Sequence, residues 1–259
     1  MLHLQLTLQV AALPSASNAR SPILEWIVIE DGTDVDPAIS DLLRRSNLPH
    51  TYISHVAPEV TDHRGIGQRN AALDLIQQRR MSGVVYFADD DNALRPELLH
   101  SLARVPEDSY TIFPVGNTGY FGFEGPVLAL DSTGKLRIEQ WCCDFCERRW
   151  NVDMGGLAFH SSLLAHQPLI GLSSSSKVGF LESDFLSQIE QQNGSLIILP
   201  ELLEQVHVWH DHSEPFRRAD LYDSSWRTSS LLATRMKDED MVIRGFSWAD
   251  NTLPSGTLL

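Results

Sequence analysis

Three cysteines occur in 259 residues, and Cys142, Cys143 and Cys146 fall within one short stretch. That is too few to staple a fold of this length. With no histidine at finger spacing the cluster also makes a poor zinc site, so reduced or structural thiols are the reading. Lysine is scarce beside arginine, basic residues nowhere gather into a patch, and the formal net charge is −14. Phosphate recognition needs a basic surface, so a nucleic-acid partner is excluded. No apolar run approaches the ~18 residues of a membrane span, and no convincing signal peptide opens the chain. What remains is a soluble domain long enough for a large core, as one α/β unit or two closely packed halves.

What is present centres on VVYFADDDN, Val84 to Asn92. The β-branched and aromatic run Val84–Ala88 predicts a strand in the middle of a sheet, with three aspartates at its C-terminal end. In open α/β sheets ligands sit outside those ends. Adjacent carboxylates repel one another unless a cation or ligand offsets the charge. Hard divalent cations prefer oxygen donors and share their shell with substrate phosphates, so a metal-diphosphate site is one reading. The other is a solvated acidic loop, in which Asp91 or Asn92 caps a helix expected over Leu94–Arg104.

Along the chain, Leu2, Leu4, Leu6, Leu8 and Val10 share one parity, but Leu2, Leu6 and Val10 also fit a helix. Leu24–Ile29 reads as a second buried strand, ending at Glu30-Asp31-Gly32. A helix over Asp36–Asn47 and a short strand at Tyr52–Val56 follow. His63 to Asn70 then runs into a helix reaching about Arg80, with Ala72, Leu73, Leu75 and Ile76 inward. Gly65 and Gly67 at its start, flanked by Arg64 and Arg69, form an anion cradle. Strand, helix, strand, helix, strand predicts a parallel α/β sheet with right-handed crossovers. Beyond Arg104 come a strand at Ser109–Val115, a hairpin over Val127–Ile138, a helix opened by Glu182-Ser183-Asp184, and a strand ending at His210. From Phe216 onward the sequence is polar and serine-rich, expected to be an extension or a partly disordered tail.

As an ordered set, WIVIED, RGIGQRN, VVYFADDDN, FEGP, VDMGGLAF, LESDFL and VWH resemble the β-1,3-glucuronyltransferase family, from about Leu24 to Glu214. The resemblance implies a Rossmann-like glycosyltransferase-A α/β fold, a mostly parallel sheet with a mixed acceptor-side half. It implies a nucleotide-sugar half over 1–112, an acceptor half over 113–214 and an extension over 215–259. The implied reaction moves glucuronic acid from UDP-glucuronate to the 3-hydroxyl of a terminal galactose with inversion. Asp31, Arg64 and Arg69 would then hold the uridine part of the donor. Asp89 and Asp90 would serve its ribose and sugar, His210 its diphosphate, and Asp91 would bind Mn²⁺ directly. Glu124 and Asp153 match acceptor-binding acids, and Glu182 matches the catalytic base. Taken alone, Glu182 reads as a first-turn glutamate complementing a helix dipole, and the resemblance reverses that preference.

The chain departs from the family's pattern in three places. The family's first strand, ending in a Pro-Thr-Tyr type turn, has no counterpart before Leu24, and Leu2–Leu13 look more like the helix that follows it. His212 stands where the family usually has arginine. Gly155 and Leu157 replace the usual alanine and phenylalanine. Transfer of another UDP-sugar, or a truncated glycan-binding remnant without turnover, are therefore the alternatives. The implied partners are a UDP-sugar donor, a galactose-terminated glycan and a second copy in a homodimer. The implied compartment is the Golgi membrane or lumen for a eukaryotic member whose anchor is missing here, otherwise the cytoplasm.

Overall fold

The computed structural model describes residues 4–11, 23–57, 65–117, 122–142, 147–166 and 169–210. Arg64, Cys143, Cys146, His212 and the expected tail lie outside them. Among the described residues no helix is long and apolar enough to cross a membrane.

A seven-stranded sheet forms the centre. Its strands are β1 (Leu4–Ala11), β2 (Ile23–Glu30), β3 (His50–Ser54), β4 (Val84–Asp89), β6 (Ser109–Ile112), β10 (Leu157–His160) and β11 (Ser195–Leu196). Their spatial order is β11-β6-β10-β4-β1-β2-β3. β2 and β3 pair in parallel, as do β6 and β11, while β1 and β10 each run antiparallel to both neighbours. Five of the seven strands thus share one direction and end on one rim. A second, five-stranded sheet is ordered β5-β12-β7-β8-β9. It is built from β5 (Asn92–Leu94), β7 (Val115–Asn117), β8 (Gly122–Leu130), β9 (Leu136–Cys142) and β12 (Val208–His210).

β4 shows why the sequence folds this way. Its residues alternate between two cores: Val85 and Phe87 pack with Ala72, Ile76, Phe159 and Phe185 on one side, whereas Val84, Tyr86 and Ala88 pack with Leu98, Leu102, Phe113 and Leu202 on the other. A strand covered on both faces has no polar parity, hence the continuous apolar run. The covering helices are α2 (Ile66–Gln78) and α4 (Leu181–Gln191) on the first side, and α3 (Pro96–Leu102) and α5 (Pro200–Glu204) on the second. α1 (Pro37–Ser46) is ended by its own chemistry. Asp36 caps the Ala38 N–H at 2.6 Å, Pro37 opens the first turn, and Asn47 adopts the left-handed region at φ 56°.

Three expectations are corrected. Leu4–Ala11 is a strand: its alternating leucines follow the sheet period, and the slot between β2 and β4 supplies backbone partners on both sides that a helix would leave unmet. It is antiparallel, so its beginning, not its end, meets the rim, with Leu4 opposite Glu30 and Gln5 opposite Asp89. The helix expected from Leu94 starts at Pro96 with Arg95 as its cap position. Proline fits the first turn but drives the preceding residue to extended backbone, so Asn92–Leu94 pairs as β5 and neither Asp91 nor Asn92 caps a helix. The strand expected over Ser109–Val115 breaks at Phe113-Pro114, because proline brings no N–H to a ladder. The chain there leaves the large sheet for the small one.

Candidate active site

The rim at the ends of β2 and β4 carries the first group of residues. Glu30, buried at the end of β2, accepts hydrogen bonds from the Tyr52 hydroxyl and from the Asp36 N–H at 2.8 Å. These fix both ends of the loop that begins with exposed Asp31. Burial and the Glu30 carboxylate push the Tyr52 hydroxyl up to about 12, keeping it a donor. Gly65 caps α2 at φ +73° with no side-chain cap, so amides of the first turn face outward. Gly67 plays a different part from the one expected: a Cβ there would lie 2.7 Å from Ala57 Cβ, so it lets the chain after β3 pass close to the helix.

Arg69, in the first turn of α2, is 8% exposed and paired with Asp89 at the end of β4. Burial holds the Asp89 carboxyl above its usual range, and the Arg69 cation opposes this. Asp90 and Asp91 are exposed. Pairing of β5 with β12 sets His210 opposite Asn92, beside Asp91. His210 Nε2 lies 3.0 Å from Asp91 Oδ2, and its Nδ1 lies 3.4 Å from Asp153 Oδ2. Burial works against the imidazolium, but the two carboxylates prevail and raise His210 to about 10, so both ring nitrogens donate. Asp153 also accepts the Gly155 N–H at 2.8 Å, capping the 3₁₀ turn Met154–Gly156 that leads into β10. Burial alone would raise Asp153, yet His210 and the Gly155 amide hold it below the usual range. Tyr86, at the centre of β4, donates to the Gly155 carbonyl at 3.0 Å and fixes that turn over the strand.

The second group comes from the small sheet and α4. Glu124 on β8 pairs with Arg148, whose side chain is only 5% exposed. Arg148 is the site residue that the motifs did not single out. The signal for it was slight: an arginine pair against Trp150, just ahead of VDMGG. Ser183 Oγ accepts the Trp150 N–H at 3.2 Å, which holds this arm against the start of α4. Beside Ser183 stands Glu182. Its burial, and then the field of Asp153, raise the carboxyl from 4.5 to about 7, with Arg148 opposing and Glu124 adding to the rise. A first-turn glutamate serving only a dipole would be solvated and ionised.

Of the sequence-derived residues, Asp89, Arg69, Asp91, His210 and Asp153 form one linked cluster, while Glu124 and Glu182 are joined to it through Arg148 and Asp153. Asp31 and Asp90 lie on the same rim without a described side-chain link to them. Among the described residues no three His, Cys, Asp or Glu side chains form a ready cation cage. The donor set nonetheless fits a hard divalent cation: the Asp91 side chain is 48% exposed and offers carboxylate oxygen at an open edge. Such ions are commonly bound through one or two carboxylates and completed by substrate phosphates.

The profile described as "Glycosyltransferase family 43" matches residues 19–214. Galactosylgalactosylxylosylprotein 3-beta-glucuronosyltransferase sqv-8 of Caenorhabditis elegans is 31% identical over 206 residues, covering 74% of this chain and 56% of its own. Galactosylgalactosylxylosylprotein 3-beta-glucuronosyltransferase 3 of Homo sapiens is 30% identical over 223 residues, 74% of this chain and 62% of the relative. For galactosylgalactosylxylosylprotein 3-beta-glucuronosyltransferase S of Drosophila melanogaster the figures are 29% over 199 residues, 74% and 47%. The chain thus spans about half the length of the curated relatives it matches. With a sheet that gathers acids at one rim, a second sheet that brings Glu124 and His210 to it, and a family match over most of its length, the chain belongs to glycosyltransferase family 43.

Proposed function

We propose that this chain transfers glucuronic acid from UDP-glucuronate to a galactose-terminated glycan, with inversion. The relatives' names supply the donor sugar and the galactosylgalactose acceptor. The observation that carries the reading is Glu182, a half-buried carboxyl raised to about 7 beside Asp153 and the Glu124–Arg148 pair. Such a group binds a proton readily and returns it near neutrality, as a general base must.

In this reading Asp31, Arg64, Arg69, Asp89 and Asp90 bind and orient the donor, and the His210 imidazolium keeps its Nδ1–H on Asp153 and turns its Nε2–H from Asp91 to the diphosphate. Asp91 would hold Mn²⁺, which when bound neutralises charge developing on the diphosphate. Glu124, Arg148 and Asp153 orient the terminal galactose. Glu182 takes the proton from its 3-hydroxyl while that oxygen bonds to the anomeric carbon. The bond from that carbon to the diphosphate oxygen breaks with its electron pair, and UDP leaves from the opposite face. No protein acid is required, because the His210 imidazolium faces the charge that develops on the departing diphosphate.

Calorimetric UDP titration with and without Mn²⁺ tests the donor half, and UDP release with a galactosylgalactose glycoside tests the whole. Cation-dependent binding lost in Asp91→Ala, with transfer lost in Glu182→Gln, is the expected pattern. UDP binding without any transfer would favour a glycan-binding remnant, and turnover of a different UDP-sugar would reassign the donor.

A further inference from the structure

Between α2 and α4 runs a short backbone segment, Ile170–Leu172, whose polar groups are taken up in an orderly way. The Asn70 carboxamide donates from Nδ2 to the Leu172 carbonyl at 2.9 Å, and its Oδ1 accepts the Leu172 N–H at 2.9 Å. On the other side the Gln188 carboxamide donates from Nε2 to the Gly171 carbonyl at 2.8 Å, and its Oε1 accepts the Gly171 N–H at 3.1 Å. Successive residues of extended chain turn their N–H and C=O groups to opposite sides. Among the described residues Leu172 pairs with α2 and Gly171 with α4. Each carboxamide, one donor and one acceptor in a plane, stands in for the peptide of a neighbouring strand. The space is closed as well: a Cβ on Gly171 would lie 3.2 Å from Asn70 Oδ1. Ile170 and Leu172 are buried in the core between the helices.

The two helices joined in this way carry the two halves of the chemistry. Asn70 follows Arg69, which is paired with Asp89 on the donor rim. Gln188 lies on α4, whose first turn carries Glu182. We propose that Asn70 and Gln188 are positioning residues that hold the helix of the base in register with the donor side through this shared strap. The inference rests on the roles proposed above for Glu182, Arg69 and Asp89. Neither residue needs to touch substrate; the two helices share the Gly171–Leu172 peptide, whose C=O accepts from Gln188 and whose N–H donates to Asn70. A base displaced by a fraction of the reacting distance loses rate without loss of donor binding.

The test uses the full chain carrying Asn70→Ala or Gln188→Ala, with the near-isosteric, uncharged Asn70→Leu and Gln188→Met in case the alanine variants fold poorly. Gln77→Ala is the control, because Gln77 on α2 makes a similar bond, to the Leu164 carbonyl at 2.8 Å, away from the strap. The strap variants should lower kcat roughly tenfold or more while the Mn²⁺-dependent Kd for UDP stays as in the parent. They should also move the kcat pH midpoint downward. Asp153, Arg148 and Glu124 still face Glu182, but a loosened α4 admits water to it. Gln77→Ala should lower Tm and leave kcat and the midpoint in place. Strap variants that behave like Gln77→Ala overturn the inference. If Glu182→Gln retains the parent rate, the base assignment itself fails and the inference goes with it, whatever the strap variants do.

Discussion

Glu182→Gln should make the folded protein more stable at pH 8 while removing transfer. In the native state the carboxyl titrates at about 7, against 4.5 for an ordinary glutamate. A difference of that size corresponds to about 3 kcal/mol between the protonation states. Because the native value is the higher one, the protonated form favours folding. That contribution is complete below pH 4.5 and is lost progressively as pH rises through about 7. Glutamine keeps the shape and never ionises, so it escapes the loss. Urea unfolding of parent and Glu182→Gln should coincide near pH 4.5 and separate with rising pH, by up to about 3 kcal/mol at pH 8. Activity should run the other way. With about half the sites ionised at pH 7 and about nine-tenths at pH 8, kcat of the parent should climb through this interval and then level. The stability gap should open above pH 4.5 and be nearly complete by about pH 7, where the rate reaches half its maximum. A kcat flat from pH 5.5 to 8, or a Glu182→Gln variant less stable than the parent at pH 8, would falsify the argument that burial and Asp153 hold this proton.

The other site groups give equally direct expectations. Arg148→Ala leaves the half-buried Glu124 without its cation and should cost about 3 kcal/mol by chemical denaturation; it also removes a cation facing Glu182, so residual kcat should show a more alkaline midpoint. Glu124→Gln removes a carboxylate that repels Glu182, and the same profile should move toward acid. Gly116→Ala would set a Cβ 2.2 Å from Cε3 of Trp209, the neighbour of His210. Overpacking of that kind costs roughly 1–3 kcal/mol. Weaker UDP binding alongside a lowered Tm would show that β7 sets the height of β12 at the rim, whereas an unchanged Tm would mean that the two strands part freely. Tyr52→Phe leaves the buried Glu30 carboxylate one donor short, and a loss of about 1–3 kcal/mol in unfolding free energy is expected.

Residue order alone carried the acidic strand, the α/β alternation, the helix over Pro37–Ser46 and most candidate residues, because each is a local statement. An unbroken apolar run needs two covered faces, a proline presets its own φ, and aspartate before proline is a cap. The errors arose where a short segment had two admissible partners. Leu4–Ala11 satisfies helix and strand periods alike, and only the vacant backbone positions between β2 and β4 choose between them. Asn92–Leu94 follows an aspartate run that looks like a cap, and only β12 gives it strand partners. Ser109–Val115 is uniformly buried, and where it divides depends on which sheet lies on each side of Pro114.

For the site the division falls between what residues are and what state they hold. The sequence determined that carboxylates would follow a buried strand, that a histidine would end another, and that a glutamate would open a helix. Tertiary structure alone decided that His210 lies between Asp91 and Asp153, that Arg148 enters beside Glu124, and that Glu182 stands half-buried near Asp153. Charge state depends on solvation and on other charges within a few ångströms, and those neighbours are drawn from distant parts of the chain. Asp91 and His210 lie 119 residues apart in sequence, and 3.0 Å apart once β5 and β12 have paired.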